Sequence, residues 1–175
     1  MNSFSKILLE WHKPIQRKLP WKQSNDAYKI WLSEIILQQT RVEQGIPYYE
    51  AFVLAFPTIQ HLANASLDDV LKRWEGLGYY SRARNLHHAA QQIVQEYNGI
   101  FPNEYAAILK LKGVGKYTAA AIASFAFNLP HAVVDGNVFR FLSRLHGIHT
   151  PIDTSIGKNI FDELAHQFLL LNNHS

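Results

Sequence analysis

Three observations predict an all-α chain. Apolar residues recur three and four positions apart almost throughout, Gly and Pro punctuate them at short intervals, and the only strand-like run, Ala132-Val133-Val134, is too short to build a sheet. In chain order, an opening helix ends at Pro14, and a short connection runs through Pro20. The spacing of Ile30, Trp31 and Leu37 then predicts a helix ending at a break over Gly45–Pro47, with a further break at Pro57. Val70, Leu71 and Trp74 form the next periodic set, closed by Gly76 and Gly78. A longer helix carries Leu86, Ala89, Ala90, Ile93, Val94 and Tyr97 up to a break at Asn98–Pro102. Tyr105, Ile108, Leu109 and Leu111 suit a helix that stops at Gly113-Val114-Gly115, where another begins and runs to Leu129-Pro130. Phe139, Leu142 and Leu145 mark a helix before a final break near Thr150–Asp153. The total is about nine or ten short helices, with no internal repeat or low-complexity tract. The expected division is a helical block at 22–131 and a second block made of 1–21 and 132–175.

Composition narrows the chemistry. At 175 residues and 47% hydrophobic, the chain is long enough to bury about 70% of its unfolded surface. Seventeen Lys and Arg against fourteen Asp and Glu give a net charge of +3, which permits a polyanionic partner without requiring one. Zero cysteines exclude disulfides, thiolate nucleophiles and Cys-ligated zinc or iron–sulfur clusters within this sequence. No apolar run reaches the ~18 residues of a membrane span, and the N-terminal segment lacks the apolar centre of a secretory signal, so a cytoplasmic, nucleoid-associated protein without membrane contact is expected.

The run Leu109–Ala121, LKLKGVGKYTAAA, reads as helix, Gly-Val-Gly turn, helix, an arrangement that aims the free N–H groups of a helix start at an anion. It is neither a P-loop nor a Rossmann turn, because the glycines follow a helical pattern and the GxxxxGK[ST] spacing is absent. Two carboxylic acids stand out. Glu34 shares a helical face with Ile30, Trp31, Leu37 and Gln38; it is either a residue at a helix seam or a carboxyl group held protonated by desolvation for general-acid work. Asp135 follows the apolar HAVV and opens DGNVFRFLSRL, where it serves as a helix cap or as an ionised group beside a developing cation. One protonated and one ionised carboxyl group are the working pair of glycosidic bond cleavage.

Gly76–Asn85, GLGYYSRARN, sets Tyr79 and Tyr80 before Arg82 and Arg84, the composition of an aromatic wedge beside phosphate contacts. Gln38 and Gln39 follow Glu34 within about one turn, as amides able to reach base edges. His87 and His88 read as helix surface, Leu19-Pro20-Trp21 as core packing, and the pair His146 and His149 lacks the companions of a metal site.

Taken together, SEIILQQTRVE, GLGYYSRARNL, LKGVGKYTAAAI and VVDGNVFRFLSR, in this order, closely resemble the MutY-type adenine DNA glycosylases of the helix-hairpin-helix glycosylase superfamily over roughly residues 10 to 170. The resemblance implies a helix-hairpin-helix DNA glycosylase fold, with a six-helix block and a second, incomplete block. It implies base-excision repair by a monofunctional, monomeric enzyme that hydrolyses the N-glycosidic bond of adenine mispaired with 8-oxoguanine or guanine in double-stranded DNA. Glu34 matches the general acid, Asp135 the carboxylate that stabilises the deoxyribosyl cation, and Tyr117 a polar active-site residue. Gln38 and Tyr79 match residues that enter the duplex, with Gln39, Arg82 and Arg84 beside them. Trp21, Lys22 and Leu37 match the wall of the adenine pocket. Gly113, Val114 and Gly115 match the hairpin that holds phosphate, with Lys112 and Lys116 nearby to hold it as well. Glu34 after proton loss, or Asp135, is expected to activate the water.

Three departures qualify the match. Tyr117 stands where relatives resembling endonuclease III carry a nucleophilic Lys, which disfavours Schiff-base chemistry, since Lys116 lies about 100° around the helix. Lys22 follows Trp21 where Arg is common, replacing a planar fork by a point charge. The sequence stops before the family's four-Cys segment and its C-terminal reader of oxidised guanine, so a fragment or truncated form is expected, with no cofactor in this part and a 4Fe-4S cluster implied only beyond it. The competing readings are a glycosylase for oxidised pyrimidines and a non-catalytic DNA-binding module.

Overall fold

The computed structural model describes residues 3–15 and 17–170. Ten α-helices and no strand lie among them. The chain divides into two compact units, Leu19–Phe127 and a second made of Met1–Lys18 with Asn128–Ser175. Of the second unit's helices, α1 covers Ser3–His12.

In the Leu19–Phe127 unit, a single 3₁₀ turn at Pro20–Lys22 precedes α2 (Ala27–Leu37). Asp26 caps α2, its Oδ1 accepting from the Tyr28 and Lys29 amides at 3.0 and 3.4 Å. The helix α3 (Val42–Ala55) is continuous, so the break expected at Gly45–Pro47 is absent. Its reason is packing: Gly45 is buried, and a Cβ there would lie 2.8 Å from Leu37 Cδ2, so the missing side chain lets α3 close onto α2. That contact sustains a helix that forgoes one hydrogen bond at Pro47. The break falls instead at Gln38–Arg41, between α2 and α3.

Helix α4 (Ile59–Asn64) is capped by Thr58, and α5 (Leu67–Arg73) by Ser66, whose Oγ accepts from the Asp69 amide. Helix α6 (Ser81–Glu96) is the longest of the unit and packs on α4 and α5. The expected helix over Tyr105–Leu111 shrinks to one turn, α7 (Tyr105–Ile108), followed by tight turns to Gly113. Then α8 (Lys116–Phe127) begins, and Ala119, Ala120, Ala121 and Ala123 bury a face of small side chains that lets it lie close to α2. Trp31, Phe52, Trp74, Leu86, Ile93 and Ile122 fill the core, with Phe52 edge-on to Trp74 at 5.7 Å. The unit thus carries six longer helices plus the single-turn α7.

In the other unit, α9 (Gly136–His146) and α10 (Ser155–Leu170) pack around Leu142, Phe161 and Ala165. Phe139 meets Phe161 edge-on at 5.2 Å. The strand-like Ala132–Val134 run forms no strand, and it packs partly buried Ala132 and Val134 against this core. Gly147, with φ 63°, ends α9 in the left-handed conformation and directs the Ile148 amide back to the Ser143 carbonyl at 3.0 Å. His149 therefore lies beyond the helix that ends at His146.

Candidate DNA-processing site

Glu34 lies on the last full turn of α2, the helix held between α3, α6 and α8. Burial pushes its carboxyl up to about 7, because water is displaced from around the charged form. The carboxyl group is therefore poised to give or take a proton near neutral pH.

Beyond Glu34 the helix ends at Gln38. Gln39 takes φ 57°, a left-handed conformation uncommon for a residue other than Gly or Asn, and its side chain is exposed. Gln38 is half-buried, and its Nε2 donates to Thr118 Oγ1 at 3.4 Å, tying the end of α2 to the first turn of α8. Tyr117 is exposed on that same turn.

Tyr79 has φ 49° and is 65% exposed, so the ring stands out from a turn whose backbone is itself strained. Arg82 was expected at a phosphate; its guanidinium turns inward instead. It donates to the carbonyls of Ile35, Ile36, Gln38, Leu77 and Gly78, and stacks over Trp74 at 5.0 Å and Tyr79 at 5.7 Å. Arg84, in contrast, is exposed on α6.

At the hairpin, Gly113 takes φ 77°, and a Cβ there would lie 2.7 Å from Asn85 Cβ, so this glycine satisfies both conformation and packing. A Cβ on Gly115 would meet nothing within 4 Å, which leaves open space in front of the α8 start. Val114 is buried, whereas Lys112 and Lys116 are exposed around the turn. Two residues of α6 hold the hairpin from behind: Asn85, and Gln92, whose Oε1 accepts from the Lys112 amide at 3.3 Å. Sequence reasoning missed both, although their spacing of seven along α6 puts two amide side chains on one face.

Of the pocket residues, Trp21 is buried edge-on against Tyr49 at 5.3 Å, Lys22 is exposed, and Leu37 is half-buried beside Gly45. His87, expected on the surface, is buried with its Nε2 3.0 Å from the Ala65 carbonyl, because α6 packs that face against the α4–α5 connection.

In the other unit Asp135 is the N-cap of α9. Its Oδ1 accepts from the Asn137 and Val138 amides at 2.9 and 2.8 Å, and its Oδ2 from Asn137 Nδ2 at 3.2 Å.

A desolvated Glu, a glycine hairpin with open space before a helix start, and an N-capping Asp all occur in this all-helical chain, and similarity to known proteins points the same way. The profile for HhH-GPD superfamily base excision DNA repair proteins matches residues 32–166. The chain belongs to that superfamily. An adenine DNA glycosylase of Buchnera aphidicola subsp. Baizongia pistaciae is 50% identical over 147 residues, 83% of this chain and 42% of that protein. A human adenine DNA glycosylase is 41% identical over 179 residues, covering 97% of this chain and 33% of its own length. Among solved structures, a thermostable thymine-DNA glycosylase superposes with a TM-score of 0.78 at 30% identity, over 86% of this chain and 70% of that one. Within the superfamily the chain is similar to these adenine DNA glycosylases, of which it spans less than half the length. Among the described residues no helix is long and apolar enough to cross a membrane.

Proposed function

We propose that this chain carries the catalytic machinery of an adenine DNA glycosylase, which hydrolyses the N-glycosidic bond of an adenine flipped out of a mispaired duplex. The observation that carries the reading is Glu34. A carboxyl group raised to about 7 by burial, on a helix whose end bears Gln38 and Gln39, is suited to general-acid work on a base.

The roles follow from the surroundings of each group. Tyr79 and the Gln38–Gln39 pair enter the space vacated by the flipped nucleotide, as exposed or half-buried side chains on turns fixed in the left-handed region. The amides at the start of α8, with Lys112, Lys116 and Arg84, receive backbone phosphate. Glu34 gives its proton to adenine as the glycosidic bond breaks and the bonding electron pair leaves with the base. Asp135 offsets the charge of the deoxyribosyl cation. Water then adds to the cation, and its proton returns to Glu34, whose raised pKa matches both directions of transfer. Tyr117 supplies a polar side chain at the site but no amine, so the product is an abasic site with an intact strand.

The test uses duplexes of defined mispairs, including adenine opposite guanine and opposite 8-oxoguanine, followed by hot alkali to reveal abasic sites, with borohydride trapping in parallel. Alkali-dependent cleavage at adenine without a trapped covalent complex is the expected result. Cleavage at oxidised pyrimidines, or efficient trapping through Lys116, overturns it, and binding without any excision reduces the chain to a DNA-binding module.

A further inference from the structure

Arg82 is the second residue of α6, where the positive end of the helix dipole disfavours a cation. It nevertheless points inward, and the arrangement of its donors shows what holds it there. Nη1 faces only α2 and its end, donating to the carbonyls of Ile35 and Ile36 at 3.0 Å and to that of Gln38. Nη2 faces only the other turn, donating to the carbonyls of Leu77 and Gly78 at 3.3 Å. The Ile35 and Ile36 carbonyls are among the last four of α2, and the Gln38 carbonyl belongs to the cap residue, the groups a helix leaves unsatisfied at its end. Each arm ends beside a non-glycine residue in the left-handed region, Gln39 at φ 57° and Tyr79 at φ 49°. Trp74 also secures the second turn, with Nε1 donating to the Gly78 carbonyl at 2.9 Å while its ring lies under the guanidinium.

We infer that Arg82 is a positioning residue that ties the end of α2 to the Tyr79 turn, so that Gln38–Gln39 and Tyr79 enter the duplex as one preassembled unit. The inference rests on the glycosylase reading for its consequence and on the free protein for its geometry. The planar fork is essential, since only a guanidinium presents two separate NH₂ groups in fixed opposition; an ammonium is a single point donor. The strain at Gln39 and Tyr79 is stored against the bridge, so releasing the bridge relaxes both turns together. Arg82 touches neither base nor phosphate in this role, and the cations left for phosphate are Arg84, Lys112 and Lys116.

The experiment compares the full chain with Arg82→Met, which keeps bulk without donors, and Arg82→Lys, which keeps charge without the fork. Three readouts are taken: amide hydrogen exchange of the free protein, the salt dependence of binding to an undamaged duplex, and 2-aminopurine fluorescence with that base at the target position. In Arg82→Met, amides over residues 36–40 and 76–81 are expected to lose protection together, while those of α4 and central α8 keep it. The salt slope stays at the wild-type value, and base flipping falls on the order of 10²-fold. Arg82→Lys shows the same pattern at smaller amplitude, and carries the test alone if the Met variant does not fold. A salt slope reduced by about one with protection unchanged makes Arg82 a phosphate contact and overturns the inference. Loss of protection on only one side, or wild-type behaviour of Arg82→Lys in all three measurements, overturns it as well. A wild-type chain that neither binds nor flips sinks the glycosylase reading, whereas the exchange data on the free protein still decide whether the bridge exists.

Discussion

Glu34 and Asp135 carry the same functional group in opposite surroundings. Glu34 is presented on the last turn of α2, where burial raises its carboxyl to about 7. Asp135 sits outside a helix, at the start of α9, where two backbone amides and one side-chain amide donate to its oxygens. In the proposed reading, environment rather than residue type separates the proton donor from the charge stabiliser. The folding consequences are also opposite: Glu34 weakens the fold wherever it ionises, whereas Asp135 strengthens it by capping.

The largest effect is expected from Glu34→Gln, which keeps the shape but cannot transfer a proton. Single-turnover excision should fall by about 10² to 10⁴-fold or more, with duplex binding largely retained. Near-normal excision would return Glu34 to an ordinary seam residue.

Asp135→Asn comes next. An amide caps about as well as a carboxylate, so the unfolding temperature should stay close to wild type while excision is lost. If excision survives and stability drops, capping is the whole role of Asp135 and the proposed contrast between the two groups collapses.

The third prediction concerns pH. Glu34 is raised from 4.5 to about 7, so the folded state holds its proton more tightly than the unfolded chain. Stability from this group is full below about 4.5 and is lost progressively as pH rises through 7, by at most about 3 kcal/mol. Glu34→Gln should therefore be more stable than wild type at pH 8 and nearly equal to it at pH 4 in denaturant titrations. Excision by the wild-type chain should decline as pH rises past about 7, since the protonated acid disappears. Parallel stability curves for the two proteins would show that Glu34 is solvated after all.

The smallest effect isolates the cap. Asp135→Ala removes the acceptors of the α9 start and should cost about 1 kcal/mol, visible as a modest downward shift in thermal unfolding that Asp135→Asn does not share. Equal shifts for Asn and Ala would mean that charge, not capping geometry, stabilises this helix start.

The amino-acid sequence by itself determines the all-helical class. The periodicities around Trp31, Leu86 and Leu142 carry it, because burial of one helical face leaves a repeat that needs no tertiary knowledge. Glu34 is singled out by its apolar neighbours three and four positions away, and Asp135 by its place before a new apolar periodicity. The four motifs in register also point to the superfamily that the profile match establishes.

Tertiary structure alone decided the rest, and the reason is the same in each case: contacts between residues distant in sequence outweighed a local rule. Pro47 breaks nothing, since Gly45 lets α3 close on α2 and the packing outweighs one lost hydrogen bond. The helix before the hairpin shortens to α7 because Ile108, Leu111 and Val114 are buried by tight turning rather than by continued winding. His87 is internal because α6 presents that face to the α4–α5 connection. Arg82, which any local reading assigns to phosphate, is claimed by carbonyls more than forty residues away in sequence, at the end of α2, together with two from the adjacent turn. A sequence determines which groups a chain possesses and how they alternate along an element; which unsatisfied carbonyls a guanidinium finds depends on where two elements end in space.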